Sequence, residues 1–204
     1  MNSNFSSNPV LLVHGIFRKS GIFYKMSAYL RDLGWSVYTL DLSPQWGNAS
    51  IDELAKQMAN YIDKNFEPQQ PLDIVGLSMG GLVTRYYLQR LGGINRVQRF
   101  IAISSPHSGT WTAYTLWGKG CVQMRPGSAF LEDLNRDVAL LEKMNFTSIW
   151  TDWDFIIVPA SSSQISAAKE VKLSVFAHAM MARHSSSLKA VAEALSEPLK
   201  IIIK

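Results

Sequence analysis

The 204-residue chain predicts an α/β fold, a mainly parallel sheet of about six strands flanked by helices. Apolar runs of strand length alternate with longer amphipathic segments from end to end, the pattern of a parallel sheet covered on both faces. The pentapeptide Gly76-Leu77-Ser78-Met79-Gly80 adds a second observation: it follows a strand-like run and opens a helix-like one.

The first strand is the short apolar run Val10 to Val13, reached directly from the polar stretch Met1 to Asn8. A helix over Tyr24 to Leu33 is closed by Gly34, and a strand follows at Ser36 to Leu40. Ser50 before Ile51, with Glu53 as its reciprocal partner, forms a capping box that starts a helix over Ile51 to Phe66. Leu72 to Val75 is the strand before the pentapeptide, and Gly80 to Leu91 the helix after it, ended by Gly92. A strand at Arg99 to Ile103 comes next, then a helix over Ala129 to Met144 that Ser128 can cap. Strands at Thr147 to Trp150 and Val171 to Phe176 and a last helix over Ser187 to Ser196 complete the series.

With 47% hydrophobic residues and no Pro/Gly/Ser-rich linker, residues 1–204 are expected to form a single domain around one core. Met1 to Asn8 lacks the basic-then-apolar order of a signal peptide. Phe155 to Val158 and Ile201 to Ile203 are too brief to span a bilayer. The expectation is therefore a cytoplasmic protein, acting as a monomer. Cys121, the sole cysteine, excludes an internal disulfide and a thiolate-rich metal site. The net charge of +4 is spread, with Arg85, Arg90, Arg96 and Arg99 distributed over a helix and its exit. That distribution reads as a solvated face; weak association with an anionic membrane surface is the lesser reading, and no nucleic-acid partner is expected.

In an open parallel sheet, chemistry sits just after the strands. A strand turning at once into a helix strains the residue between them and exposes Ser78 at the tip, beside the unpaired N–H groups of the helix start. A serine hydroxyl needs a base, and the base a carboxylate to orient it. His178 follows the last strand and is preferred over His184, which stands next to the final helix. Asp154 and Asp152 both follow the strand Thr147 to Trp150; Asp154 is preferred because the apolar run Phe155 to Val158 would bury and anchor it. Gly15 permits a close turn after the first strand, aiming the N–H of Ile16 at the same point as that of Met79. His14 is read as bracing that turn.

His14-Gly15-Ile16, the elbow Gly76 to Gly80, Asp154 to Pro159 and His178, in the order Ser78, Asp154, His178, resemble the α/β-hydrolase fold and more closely its small bacterial lipases. Ser105-Pro106-His107-Ser108-Gly109-Thr110 looks like the Pro-His-x-Gly segment of many lipases. The likeness runs from Val10 to about His184. It implies carboxyl-ester hydrolysis of apolar acyl chains through an acyl-enzyme, with Ser78 as nucleophile, His178 as base, Asp154 as orienting acid and the backbone N–H groups of Ile16 and Met79 as the oxyanion hole. An ester or lipid is the expected substrate, and no cofactor or metal is required.

Two departures matter. The turn continues as Phe17-Arg18-Lys19, where related lipases often carry glycine, so a bulky charged loop borders the acyl entrance. The chain also leaves little or no sequence for a cap domain: only Gly109 to Gly127 stands as an insertion, holding Trp111 and Trp117, and reads equally as a small apolar lid or as a short helix packed on the core. Phe17, Trp111 and Trp117 are the candidate substrate-binding residues. The same machinery would serve a thioesterase or an acyltransferase; a non-catalytic binding module and a membrane-surface protein are the readings outside enzymes.

Overall fold

The computed structural model describes residues 8–200; Met1 to Ser7 of the polar N-terminal stretch and the apolar stretch Ile201 to Ile203 lie outside them. The strands β1 (Val10–Val13), β2 (Val37–Leu40), β3 (Leu72–Leu77), β4 (Val97–Ile103), β5 (Asn145–Trp150) and β6 (Lys169–Lys172) form one sheet in the order β2-β1-β3-β4-β5-β6. Every neighbouring pair is parallel. Helices α1 (Tyr24–Asp32), α2 (Ile51–Asn65), α3 (Met79–Arg90), α4 (Lys119–Gln123), α5 (Ala129–Arg136) and α6 (Ser185–Ser196) connect and cover the strands. None of the described helices is long and apolar enough to cross a membrane.

Strand side chains alternate between two cores, as a period of two requires. Leu11, Val13, Ile74, Phe100 and Ala102 point to the face covered by Leu54 and Met58 of α2 and Leu82 of α3. Val10, Leu12, Val75, Leu77, Ile101 and Ile103 point to the other, under Met26 and Leu30 of α1 and Leu188 and Val191 of α6. Burial on both faces is why these strands read as continuous apolar runs. The capping carboxylate of Glu53 accepts from the Ser50 N–H at 2.9 Å, and Ser128 Oγ accepts from the Leu131 N–H at 3.3 Å. Gly34 and Gly92 turn the chain at φ +99° and +80° where the first and third helices end.

Two elements differ from expectation. The last strand is Lys169–Lys172, not Val171 to Phe176; it is a charged edge strand, and edges of that composition resist pairing with other chains. The apolar residues after it instead supply Val175 to the core and Phe176 to the surface. The helix expected over Ala129 to Met144 stops at Arg136 and resumes as a 3-10 turn over Val138–Lys143. Side chains of α3 break it: Arg85 Nη2 and Gln89 Nε2 both donate to the Leu134 carbonyl, at 2.9 and 2.7 Å, and Arg90 pairs with Asp137 at 2.6 Å.

The sheet reverses its order of connection between β1 and β3, and α3 crosses that point close to the sheet. A Cβ on Gly80 would run into the Val13 carbonyl oxygen, and one on Gly76 would lie 2.8 Å from the Gly80 backbone. Gly80→Ala is therefore expected to lower the unfolding free energy by about 1–3 kcal/mol, measured by urea titration. A substitution without effect would show that α3 can lift from β1.

Candidate active site

The close approach of α3 to the sheet leaves a single residue for the turn. Ser78 stands between Leu77, the end of β3, and Met79, the start of α3, with φ +56° and ψ −125°. That region is costly for a residue with a Cβ, and the surroundings hold it there: the Ser78 N–H donates to the Ile103 carbonyl at 2.8 Å, and the Gly81 N–H to the Ser78 carbonyl at 3.0 Å. The loop after β1 presses against the same residue, so a Cβ on Gly15 would meet Ser78 Cβ at 2.8 Å. Phe17, at φ +57°, bends that loop away again and its N–H donates to the Gln45 carbonyl at 2.8 Å. Among the described residues neither the Ile16 nor the Met79 N–H donates to a protein acceptor. Two backbone donors beside Ser78 are thus free for a ligand.

Ser78 and His178 line one cavity of about 110 Å³ together with Gly15, Ile16, Phe17, Arg18, Leu77 and Ile156. His178 Nδ1 is 2.7 Å from Asp154 Oδ2, and the Asp154 side chain is 2% exposed. Asp154 Oδ1 accepts from the Ile156 and Ile157 N–H groups at 3.0 and 2.9 Å. Burial raises the Asp154 pKa, but the His178 hydrogen bond, the charge on that ring and the two N–H groups outweigh it and hold the carboxyl below its ordinary range. An ionised Asp154 accepts the Nδ1 proton, which leaves Nε2 as the basic nitrogen. No hydrogen bond joins Ser78 Oγ to the ring among the described residues; such bonds commonly tighten only around substrate.

Asp152 is exposed and pairs with Lys172 at 2.6 Å. His184 caps α6, with Nδ1 at 2.7 Å from Ser186 Oγ. His14 is buried and braces the loop after β1: its Nε2 accepts from the Leu42 N–H at 2.9 Å, so Nδ1 carries the proton and donates to the Gly15 carbonyl at 2.8 Å. Phe17 forms part of the cavity wall, whereas Trp111 and Trp117 lie outside that lining, 59% and 88% exposed. Between Gly109 and Gly127 the chain forms a 3-10 turn and α4, with Ala113, Cys121 and Met124 buried against the core. His107 is buried in a separate place, both ring nitrogens unpartnered and the ring edge-on to Phe146.

Two threonines that sequence reasoning missed tie these loops together. Thr110 Oγ1 donates to the Ile156 carbonyl at 2.8 Å and accepts from the Val158 N–H at 2.9 Å, clamping the segment that cradles Asp154. Thr151 Oγ1 donates to the Val175 carbonyl at 2.9 Å, joining the end of β5 to the chain leading to His178. Their partners lie on other loops, so nothing next to either threonine marks it in the sequence. Arg18, a cation in the cavity wall, was visible as a bulky departure but not as a lining residue.

The sequence pattern of the family described as Palmitoyl protein thioesterase matches residues 9–153. A lysosomal thioesterase of Xenopus laevis is 27% identical over 161 residues, 74% of this chain and 53% of that protein. One of Homo sapiens is 32% identical over 120 residues, 55% of this chain and 39% of that protein. The chain thus spans about half the length, or less, of the curated relatives it matches. Among solved structures, a mature lipase of Bacillus licheniformis superposes with a TM-score of 0.79 at 13% identity, covering 96% of this chain and 95% of that one. Aspergillus fumigatus lipase B gives 0.79 at 21% identity, covering 98% and 56%. The fold is that of the α/β-hydrolases.

Thr110→Val is expected to lower kcat/KM on a soluble ester by about tenfold, the worth of one or two buried hydrogen bonds, and Thr110→Ser to restore it. Equal activity in Thr110→Val would show that the Asp154 loop holds itself. Acid stability provides a second check. Burial, then the positive charge of Arg85, holds the His107 imidazole well below its ordinary value, so the unfolded chain takes up that proton first as pH falls below about 6.5. Stability is then fully present above that pH and declines beneath it. Urea midpoints should fall between neutral and mildly acid pH, and fall less in His107→Leu. Identical slopes would show that His107 does not contribute.

Proposed function

We propose that this chain, which belongs to the palmitoyl protein thioesterase family, is a serine hydrolase that releases apolar acyl groups from esters and thioesters in two acyl-transfer steps. The observation that carries the reading is the shared cavity of Ser78 and His178, with the imidazole tied to a buried Asp154 on its far side. In the first step His178 Nε2 takes the Ser78 proton as Oγ attacks the acyl carbonyl, and the Ile16 and Met79 N–H groups hold the oxyanion. Positive charge then sits on the imidazole, and Asp154 offsets it without itself taking the proton. His178 returns the proton to the departing alcohol or thiol, and water, activated by the same nitrogen, releases the acyl group.

Family membership favours the thioester as the bond attacked. A thiol leaves more readily than an alcohol, so the same two N–H donors serve either substrate. Ile16, Phe17, Leu77 and Ile156 offer an apolar wall suited to an acyl chain. Arg18 adds a positive charge at the mouth for a polar or anionic leaving group. In this reading residues 1–204 act as one domain and as a monomer. The compartment is the cytoplasm, although the relatives above are named lysosomal.

A fluorophosphonate probe followed by peptide mapping is expected to label Ser78 alone. Ser78→Ala should abolish labelling and lower turnover of paired oxygen-ester and thioester substrates by about 10³-fold or more. Labelling at another residue, or turnover unchanged in Ser78→Ala, would overturn the reading.

A further inference from the structure

We propose that the carboxyl edge of the sheet is a bilayer-docking face, on which exposed aromatic side chains and unpaired cations seat the mouth of the Ser78 cavity against an anionic phospholipid surface. The inference deepens the hydrolase reading, and rests on it for what the cavity does but not for the docking.

A parallel sheet sends every loop that follows a strand to the same end of the molecule, and here that is the end holding the cavity. The exposed tryptophans of the described chain all lie on such loops: Trp46 after β2, Trp111 and Trp117 after β4, and Trp153 after β5, between 53% and 88% exposed. Phe155 and Phe176, 60% and 67% exposed, join Trp153 in one surface cluster, with ring centroids 5.8 Å apart for the two phenylalanines and 6.3 Å for Trp153 and Phe176. Phe17, in the cavity wall, and Trp46 meet at 5.9 Å. A soluble surface rarely gathers so many large rings at one end without a use.

Charge decides what the face fits. Arg18 and Lys19 follow Phe17, and Arg183 follows His178 in the chain; none of the three forms an ion pair among the described residues. The Arg125 guanidinium lies over the Tyr114 ring at 4.8 Å. Two carboxylates at this end are neutralised, Asp154 buried against His178 and Asp152 paired with Lys172, while the exposed Asp41 accepts from the Ser20 N–H and keeps a charge that Lys19 partly offsets. Rings with a polar edge interleaved with cations are the composition that settles at the headgroup level of a membrane. The rings come from five loops and pair across them beside cations, so charge as well as apolar area favours an anionic bilayer. A bilayer is also where long acyl chains are found, so docking would deliver them to the cavity without passage through water.

The test uses the Ser78→Ala chain in flotation with phosphatidylcholine vesicles, with and without phosphatidylglycerol. Binding to the anionic vesicles that weakens with added salt and in Lys19→Glu is expected. The double variant Trp153→Ser/Phe176→Ser should lower the partition coefficient by about tenfold or more, while in the otherwise native chain it leaves turnover of a water-soluble short-chain ester within about twofold. Retained turnover reports that the variant folds. Flotation that fails on both vesicle types, or that the double variant leaves unchanged, overturns the proposal. So does concentration-dependent self-association of the protein alone that the same double variant abolishes, which would assign the face to a second copy. Fluorophosphonate labelling of Ser78 reads the hydrolase separately, so either inference can fall while the other stands.

Discussion

The Val13 carbonyl lies so close to Gly80 that no larger residue fits, and much of the molecule follows from that contact. A helix pressed this near to a sheet has no room for a connecting loop, so the turn from β3 to α3 falls on one residue, and that residue takes the strain. Ser78 is held at positive φ by bonds to Ile103 and Gly81, while the helix start contributes a free N–H beside it. Gly15 then brings the loop after β1 against the same side chain, which supplies the second donor. The position of Ser78 and the two free N–H groups beside it are thus two results of one packing constraint rather than separate features.

Asp154 and His178 are held by a different kind of contact. They sit on loops, where no regular hydrogen-bond ladder fixes the backbone, and the structure compensates with buried hydroxyls. Thr110 grips the segment whose N–H groups hold Asp154, and Thr151 ties that region to the chain leading to His178. The carboxylate has its second oxygen occupied by Ile156 and Ile157, so it offers the imidazole one oxygen in one direction. The helix α3 is anchored at its far end by Arg85, Gln89 and Arg90, whose side chains terminate α5. Both ends of the helix that begins at Met79 are therefore tied to neighbouring backbone.

How legible each part was depends on the range of the interactions behind it. Val10 to Val13, Leu72 to Val75 and the capping box at Ser50 are dictated by burial on both faces or by local bonding, and their residue types announce them. The residues brought to one cavity, Ser78 and His178 with Asp154 behind, were legible because each follows a strand. What stayed hidden depended on contacts across the fold. Nothing local stops a helix at Arg136; Leu134 loses its carbonyl to side chains about fifty positions earlier in the chain. The apolar run Val171 to Phe176 has strand composition, yet the edge of the sheet is filled by charged Lys169–Lys172 instead. Thr110 and Thr151 carry no local signature because their partners belong to other loops.

The reversal of connection between β1 and β3 has a kinetic consequence. The cavity wall draws on Gly15, Ser78, Ile156 and His178, which span most of the chain, and parallel neighbours are joined only through long crossovers. No early hairpin or isolated segment contains enough of these groups to act. Loop closure over such separations is slow, so the cavity should appear only when all of these segments have come together. A chain of this topology acquires its chemistry only once its tertiary structure is complete, and is inert at every earlier stage of its maturation.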